Sequence, residues 1–191
     1  MNAPSVRRVP PGELLGHQAD LEQVYTEAFA GPPWYEDAGR ASDFVRRLSD
    51  DVSRPGFVAA LGFDGDGVIG LATAWTTPSV FPANRCYPEI AAALGTDCTM
   101  RWLCGSREVD ELALAGAARG RGTGAALLEA VTADAPEGRC WLLTSVRARQ
   151  ALGLYRRLGW AQATHPAPGG TGLVVFLGPA HPDRAAVPLP L

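Results

Sequence analysis

The sequence predicts an α/β protein, a single domain with a mixed sheet and helices on its faces. Three observations carry this. Apolar residues recur at helical spacing in "GHQADLEQVYTEAFAG", at Leu21, Val24, Tyr25, Ala28 and Phe29. Two β-type runs then flank the turn "DGDG". After position 108 the order becomes strand, glycine loop, helix, strand, helix and two last strands, with no internal repeat.

The first helix stops at Gly31-Pro32-Pro33. "PPWYEDAGR" is a loop, and Ser42 is placed to cap a second helix, "SDFVRRLSDDV", with Phe44, Val45 and Leu48 inward. Pro55-Gly56 breaks it. "FVAALGF" and "VIGLATAWTT" form a hairpin. Residues 78–107 hold three prolines, two short helical patterns and three of the four cysteines, and read as an insertion packed over the core. "VDELALA" is a strand, and "TGAALLEAVTADA" a helix. "CWLLTSV" is apolar throughout, so it is a strand buried on both faces. "ARQALGLYRRLG" is a helix closed by Gly159. "WAQATH" and "TGLVVFLG" are strands across a Pro/Gly turn, and the tail from about 180 to 191 is expected to be loosely held.

Composition narrows the function. The chain has 191 residues, 47% hydrophobic and 19% charged, as expected of one globular domain. A net charge of −3 and a pI near 5.6 argue against nucleic acid as partner. All 17 basic residues are arginines, so a P-loop, which needs a lysine, is excluded. No run of 18 apolar residues suggests a membrane span, and the N-terminus lacks a signal-peptide core, so the chain reads as cytoplasmic. Cys86, Cys98, Cys104 and Cys140 show no CxxC pairing and, with three scattered histidines, make a poor metal set. They read as small hydrophobes, and no metal is expected.

"AARGRGTGAALLEA", from Ala117 to Ala130, places a glycine-rich turn between a strand and a helix. The first helix amides lack internal partners, the helix dipole adds positive potential, and glycines let a phosphate reach the backbone. Arg119 and Arg121 add charge. The expected guest is a pyrophosphate. Gly120, Gly122 and Ala125 also satisfy the dinucleotide pattern G-x-G-x-x-A, but too little chain follows for a Rossmann domain, and no acid follows to hold the ribose. A plain glycine turn with solvated arginines stays open on the loop alone.

A second motif, "ALGLYRRLGW" at Ala151 to Trp160, follows the loop by about 30 residues. Together, "ELALAGAARGRGTGAALLEA" and "ALGLYRRLGW" resemble the signature of the GCN5-related N-acetyltransferases (GNAT). Arg119, Gly122 and Gly124 meet the family's loop pattern. Leu154, Tyr155, Leu158, Gly159 and Trp160 meet its later helix. The resemblance covers roughly Glu108 to Trp160, and residues 78–107 have no counterpart in it.

The resemblance implies the GNAT-like fold, a mostly antiparallel mixed sheet with splayed central strands and helices on both faces. It implies acetyl-CoA as donor. The pyrophosphate would rest on the amides of Gly120, Arg121, Gly122, Thr123, Gly124 and Ala125, with Arg119 at the loop's start. The pantetheine arm would pair with the backbone of Leu112, Ala113 and Leu114, and an amide near Leu114 would polarise the thioester carbonyl. Tyr155 matches the family's usual acid for the departing thiolate; as a residue it also fits an apolar stripe with Ala151, Leu152 and Leu158. Ala148 stands where the family often has a cofactor-contacting asparagine, so one hydrogen bond is lost or replaced.

Glu111 best matches the family's base on the first of the two strands. Alternation puts it on one face with Val109 and Ala113, and Glu108 and Asp110 on the other. A strand-end carboxylate and a water-only mechanism stay open. Trp34 and Tyr35, beside Glu36 and Asp37, would suit a cationic amine acceptor, or simply pack their loop. The 78–107 segment would cap the acceptor cleft. The implied function is acetyl transfer to a small-molecule or peptide amine by direct attack. A non-catalytic acyl-CoA-binding sensor or scaffold is the alternative. An acetyltransferase toxin acting on aminoacyl-tRNA conflicts with the acidic pI. A homodimer is possible, since relatives often dimerise.

Overall fold

The structure is a computed structural model that describes residues 4–165 and 172–187. In chain order its elements are β1 (Ser5–Val9), α1 (Pro11–Gly16), α2 (Gln18–Phe29), α3 (Ala38–Asp51), β2 (Val58–Asp64), β3 (Gly67–Thr76), α4 (Tyr87–Leu94), α5 (Thr96–Cys98), β4 (Arg107–Leu114), α6 (Thr123–Thr132), β5 (Cys140–Ser145), α7 (Arg149–Arg157), β6 (Ala161–Gln162) and β7 (Leu173–Leu177). A π-helical turn, Thr99–Leu103, continues from α5. The chain divides into two compact units, residues 1–75 with 109–133, and 76–108 with 134–191.

In the first unit the strand order is β1-β2-β3-β4. β1 pairs antiparallel with β2, and β2 with β3, in a register that sets Leu61 opposite Leu71. Strand parity then sorts the layers. Ala59, Leu61, Leu71 and Ala113 pack with Leu14 of α1, Leu21 and Val24 of α2, and Phe44 and Leu48 of α3. The opposite face meets α6. Gly70 has no side chain because a Cβ there would lie 2.7 Å from Leu114 Cδ2 and 3.0 Å from Leu127 Cδ1. Helices therefore cover both faces of this unit, as the sequence pattern implies.

Two boundaries differ from expectation. α3 begins at Ala38, not after Ser42, because Asp37 caps it, accepting from Arg40 N–H at 3.2 Å. An aspartate five residues upstream ends the loop first, and Ser42 instead bonds Glu22 from within the helix. β1 was not legible. It is a short edge strand with two arginines, the charged kind that protects a sheet margin. Arg7 lies over the Phe63 ring at 4.8 Å.

In the second unit the order is β5-β7-β6, all antiparallel. Its core joins Trp141 of β5, Ala163, and Val175 and Leu177 of β7 to Tyr87, Ile90, Trp102 and Leu103. Those last four come from 78–107, so this segment is not laid over a finished core; it supplies half of this one. The expected strand "WAQATH" shrinks to Ala161–Gln162. Thr164 leaves the strand pattern, and its side chain caps Val175 N–H at 2.9 Å. The Pro/Gly turn expected before β7 lies largely outside the described residues.

The segment expected to be loose is anchored through Val187. His181 is 3% exposed. Its Nδ1 accepts from Asp183 N–H at 3.1 Å, which leaves Nε2 to donate to the Trp102 carbonyl at 3.0 Å. Arg184 Nε donates to the Gly159 carbonyl at 2.7 Å, and Arg101 pairs with Asp183 at 3.1 Å. Burial lowers the proton affinity of His181 from its ordinary 6.5. The unfolded chain thus binds a proton that the folded chain refuses, so stability is full above pH 6.5 and falls as pH drops below it. Thermal melts at pH 7.5 and 5.5 are expected to show a smaller acid-induced drop for His181→Gln than for wild type.

The cysteines behave as small hydrophobes. All four are free. Cys140 packs against Gly178, whose N–H donates to the Cys140 carbonyl at 2.8 Å, and burial pushes the Cys140 thiol up to about 12.

Candidate active site

In the first unit, β4 runs into the glycine loop and α6. Ala115 N–H donates to the Ile69 carbonyl at 2.9 Å, which holds the end of β4 beside β3. A 3₁₀ turn, Gly116–Ala118, carries the chain to Arg119. Gly122 then takes a left-handed φ of 82° as the cap residue of α6. That conformation disfavours any residue with a Cβ. It turns the chain so that the first α6 amides, from Thr123 on, end the helix without intrahelical partners. The space in front of the bend is open, since a Cβ at Gly120 or Gly122 would meet nothing within 4 Å.

Thr123 gives the strongest pointer to a guest here. It is 3% exposed, and its Oγ1 has no hydrogen-bond partner among the described residues. Its methyl faces Gly62, where an added Cβ would come within 2.9 Å. A buried, unpaired hydroxyl is costly, so this helix start suits a ligand oxygen that accepts from it. Glu27 of α2 braces the loop, taking Gly116 N–H at 3.2 Å on its carboxylate and Arg119 Nη2 at 3.4 Å on its carbonyl. Arg121 pairs with Asp64 at the β2–β3 turn, 2.7 Å away. The braced loop, two arginines and the α6 N-terminus together form a site suited to a phosphate ester.

A charge network lies on the α2–α3 side of β4. Arg47 Nη2 is 3.1 Å from Asp110 Oδ2 and 4.0 Å from Glu111 Oε2, and its Nε is 2.9 Å from Asp51. Asp51 uses its other oxygen on Arg54 at 2.7 Å, and Arg54 lies 4.3 Å over the Trp75 ring. Alternation placed Asp110 and Glu111 on opposite faces. Both nevertheless reach one guanidinium, because the long Arg47 side chain draws in consecutive carboxylates. Tyr25, stacked on Phe44 at 4.8 Å, donates to Glu36 at 2.8 Å. Burial first, then the charges of Glu111 and Glu36, push the Tyr25 phenol up, so it stays a proton-bearing donor.

The loop between α2 and α3 separates the two aromatic candidates. Trp34 packs edge-on against Phe29 at 5.8 Å, the bland role the sequence left open for it. Tyr35 is 72% exposed with a positive φ of 49°. Glu36, beside them, is the residue tied into the network.

In the second unit, Tyr155 is buried on α7, with its ring 5.6 Å from Phe176 and 6.1 Å from Trp160. Ala148 caps α7 and is itself buried. Glu108 forms a separate buried site: it accepts from Tyr87 Oη at 2.7 Å and Thr77 Oγ1 at 3.3 Å, and Thr77 in turn accepts from Trp141 Nε1 at 2.8 Å. Sequence reasoning missed Glu108, Arg47 and Tyr25. Their bonds to Tyr87, Asp110 and Glu36 span 21, 63 and 11 positions, which no local pattern encodes. Among the described residues no group of three or more metal-ligating side chains occurs, and no helix is long and apolar enough to cross a membrane.

Compared with known proteins, residues 56–162 match a family model described as an acetyltransferase (GNAT) domain. No curated protein sequence matches the chain. Solved structures share the fold. An acetyltransferase from Thermus thermophilus is 18% identical over 92% of this chain and 96% of its own, with a TM-score of 0.60. A structure from Corynebacterium glutamicum, described as histone acetyltransferase HPA2 and related acetyltransferase, is 19% identical over 94% and 97%, with a TM-score of 0.61. The PaiA N-acetyltransferase of Thermoplasma acidophilum, solved in complex with coenzyme A, is 12% identical over 93% and 99%, with a TM-score of 0.56.

Proposed function

We propose, since the chain belongs to the GNAT acetyltransferase family, that it moves an acetyl group from acetyl-CoA to a primary amine by direct attack. The observation that carries this is Thr123, whose buried Oγ1 lacks a partner at the first residue of a helix capped by left-handed Gly122. A pyrophosphate oxygen would accept from that hydroxyl and from the amides of Gly120 to Ala125, with Arg119 and Arg121 balancing its charge. The coenzyme A bound to the PaiA structure supports the same donor class. This reading treats residues 1–191 as a single N-acetyltransferase domain.

The residues then take the following roles. The backbone of Leu112, Ala113 and Leu114 aligns the pantetheine arm, and an amide near Leu114 polarises the thioester carbonyl. Such a donor contributes about 3 kcal/mol when aimed at the developing oxyanion. The neutral amine attacks the carbonyl carbon, the C–S bond breaks, and the Tyr155 hydroxyl gives its proton to the departing thiolate. The ammonium proton passes to Glu111, directly or through water. Glu108 is the rival base, but both its oxygens already accept hydrogen bonds from Tyr87 and Thr77. Trp34 and Tyr35, beside Glu36 and Asp37, would contact a cationic acceptor amine.

The test is calorimetric titration with acetyl-CoA, followed by thiol release over a panel of diamines, aminoglycosides and peptide N-termini. Micromolar binding and amine-dependent thiol release are expected. Binding with no release from any amine would favour the sensor module, and no binding to folded protein would remove the donor assignment.

A further inference from the structure

We propose that residues 179–187 form a clasp on the C-terminal end of α7, that His181 is its lock, and that proton uptake by His181 opens it. This goes beyond acetyl transfer and holds whatever the acceptor. The clasp meets the end of α7 at two points. Pro179 Cβ lies 3.5 Å from where a Cβ on Gly159 would stand, and Arg184 Nε donates to the Gly159 carbonyl at 2.7 Å. Gly159 closes the helix that carries Tyr155, and the next amide, Trp160 N–H, donates back to the Tyr155 carbonyl at 3.0 Å. Between the two points the chain forms the 3₁₀ turn Pro182–Ala186, and Val187 beyond it packs against the core of the second unit.

His181 locks this turn by being donor and acceptor at once. As cap residue of the 3₁₀ turn it accepts from Asp183 N–H on Nδ1 at 3.1 Å, and its Nε2 donates to the Trp102 carbonyl at 3.0 Å. Only the neutral ring with its proton on Nε2 can do both. A second proton would set Nδ1–H against the Asp183 N–H, two donors face to face at a residue 3% exposed. The charged groups around the ring are Arg139, Asp183, Arg101 and Arg184. Arg139, before β5, opposes a proton on the ring and donates to the Cys104 carbonyl at 2.9 Å. Asp183 favours one, but Arg101 of the π-helical turn holds that carboxylate at 3.1 Å. Arg184 is engaged at Gly159. Burial outweighs these charges and lowers the proton affinity of the closed site. Opening returns the ring to water and to its ordinary value of 6.5, so the open clasp binds the proton more tightly and acid favours opening.

Amide hydrogen exchange of the full chain at pH 7.5 and 5.5, corrected for intrinsic rates, tests this. The clasp is read at the amides of Asp183 and Arg184, and the end of α7 at those of Leu158, Gly159 and Trp160. In wild type, protection at all of these is expected to fall by up to about tenfold at pH 5.5, the limit set by a group titrating at 6.5 in the open state. The side-chain amide in His181→Gln offers a donor and an acceptor but gains no proton, and the fall is expected to shrink below about twofold. Arg184→Ala, at an exposed position, cuts the link to Gly159. It is expected to remove the acid response of Leu158, Gly159 and Trp160 while Asp183 keeps its own. If His181→Gln does not fold, wild type and Arg184→Ala decide the matter together. Wild-type protection that changes by less than about twofold overturns the proposal, as does an undiminished fall in His181→Gln. So does an α7 response that persists in Arg184→Ala.

Discussion

Gly122→Glu is expected to weaken acetyl-CoA binding at least about 100-fold. Two physical terms act together. Gly122 sits at a φ of 82°, and a residue with a Cβ pays about 1–2 kcal/mol to hold that shape. Nothing surrounds the position within 4 Å, so the new side chain is not crushed but stands in the open space in front of the loop. Its carboxylate would occupy the positive helix start that the proposed pyrophosphate would use, and would repel that anion. Gly122→Asn separates the terms, because asparagine tolerates the left-handed region and carries no charge. It is expected to bind within about tenfold of wild type. Calorimetry reads both variants, and thermal melts check that each stays folded, with a fall of a few degrees expected from the backbone strain. Undiminished binding in the glutamate variant would place the pyrophosphate elsewhere.

Tyr155→Phe is expected to lower kcat by about 100-fold or more while acetyl-CoA affinity stays within about twofold. The substitution removes one oxygen and nothing else. The ring keeps its contacts with Phe176 and Trp160, so the helix keeps its seat. Binding energy from the loop is untouched, which puts the loss in the chemical step. The measurement is steady-state thiol release with the best panel amine, beside calorimetry with acetyl-CoA. A variant with full turnover would make Tyr155 a core residue, the role its burial on an apolar stripe also fits.

Much of the fold was written locally. Gly159, at a φ of 81°, ends α7 where the motif "LYRRLGW" puts it. The β2–β3 hairpin follows from "DGDG" between two strand-like runs. What failed was decided by competition or distance. Asp37 outcompeted Ser42 for the α3 cap, since the loop reaches it first. β1 gains its strand form only by pairing with β2. For the site, the glycine loop was legible because its conformation depends on its own residues. The Arg47 network was not, because Asp110 lies 63 positions from its partner, which reaches both it and Glu111 although alternation sets them on opposite faces. Thr123 was legible as one of the loop amides, but its side chain drew no notice until its burial was known.

Cys140 has a use of its own. A thiol pushed up to about 12, shut against Gly178 on β5, has almost no thiolate to offer while the second unit stays closed. Its modification rate by a disulfide reagent therefore counts openings of that strand rather than encounters at the surface. The protein carries a native clock for local unfolding, and comparing that rate with and without acetyl-CoA would time how far ligand binding quiets the unit that holds Tyr155.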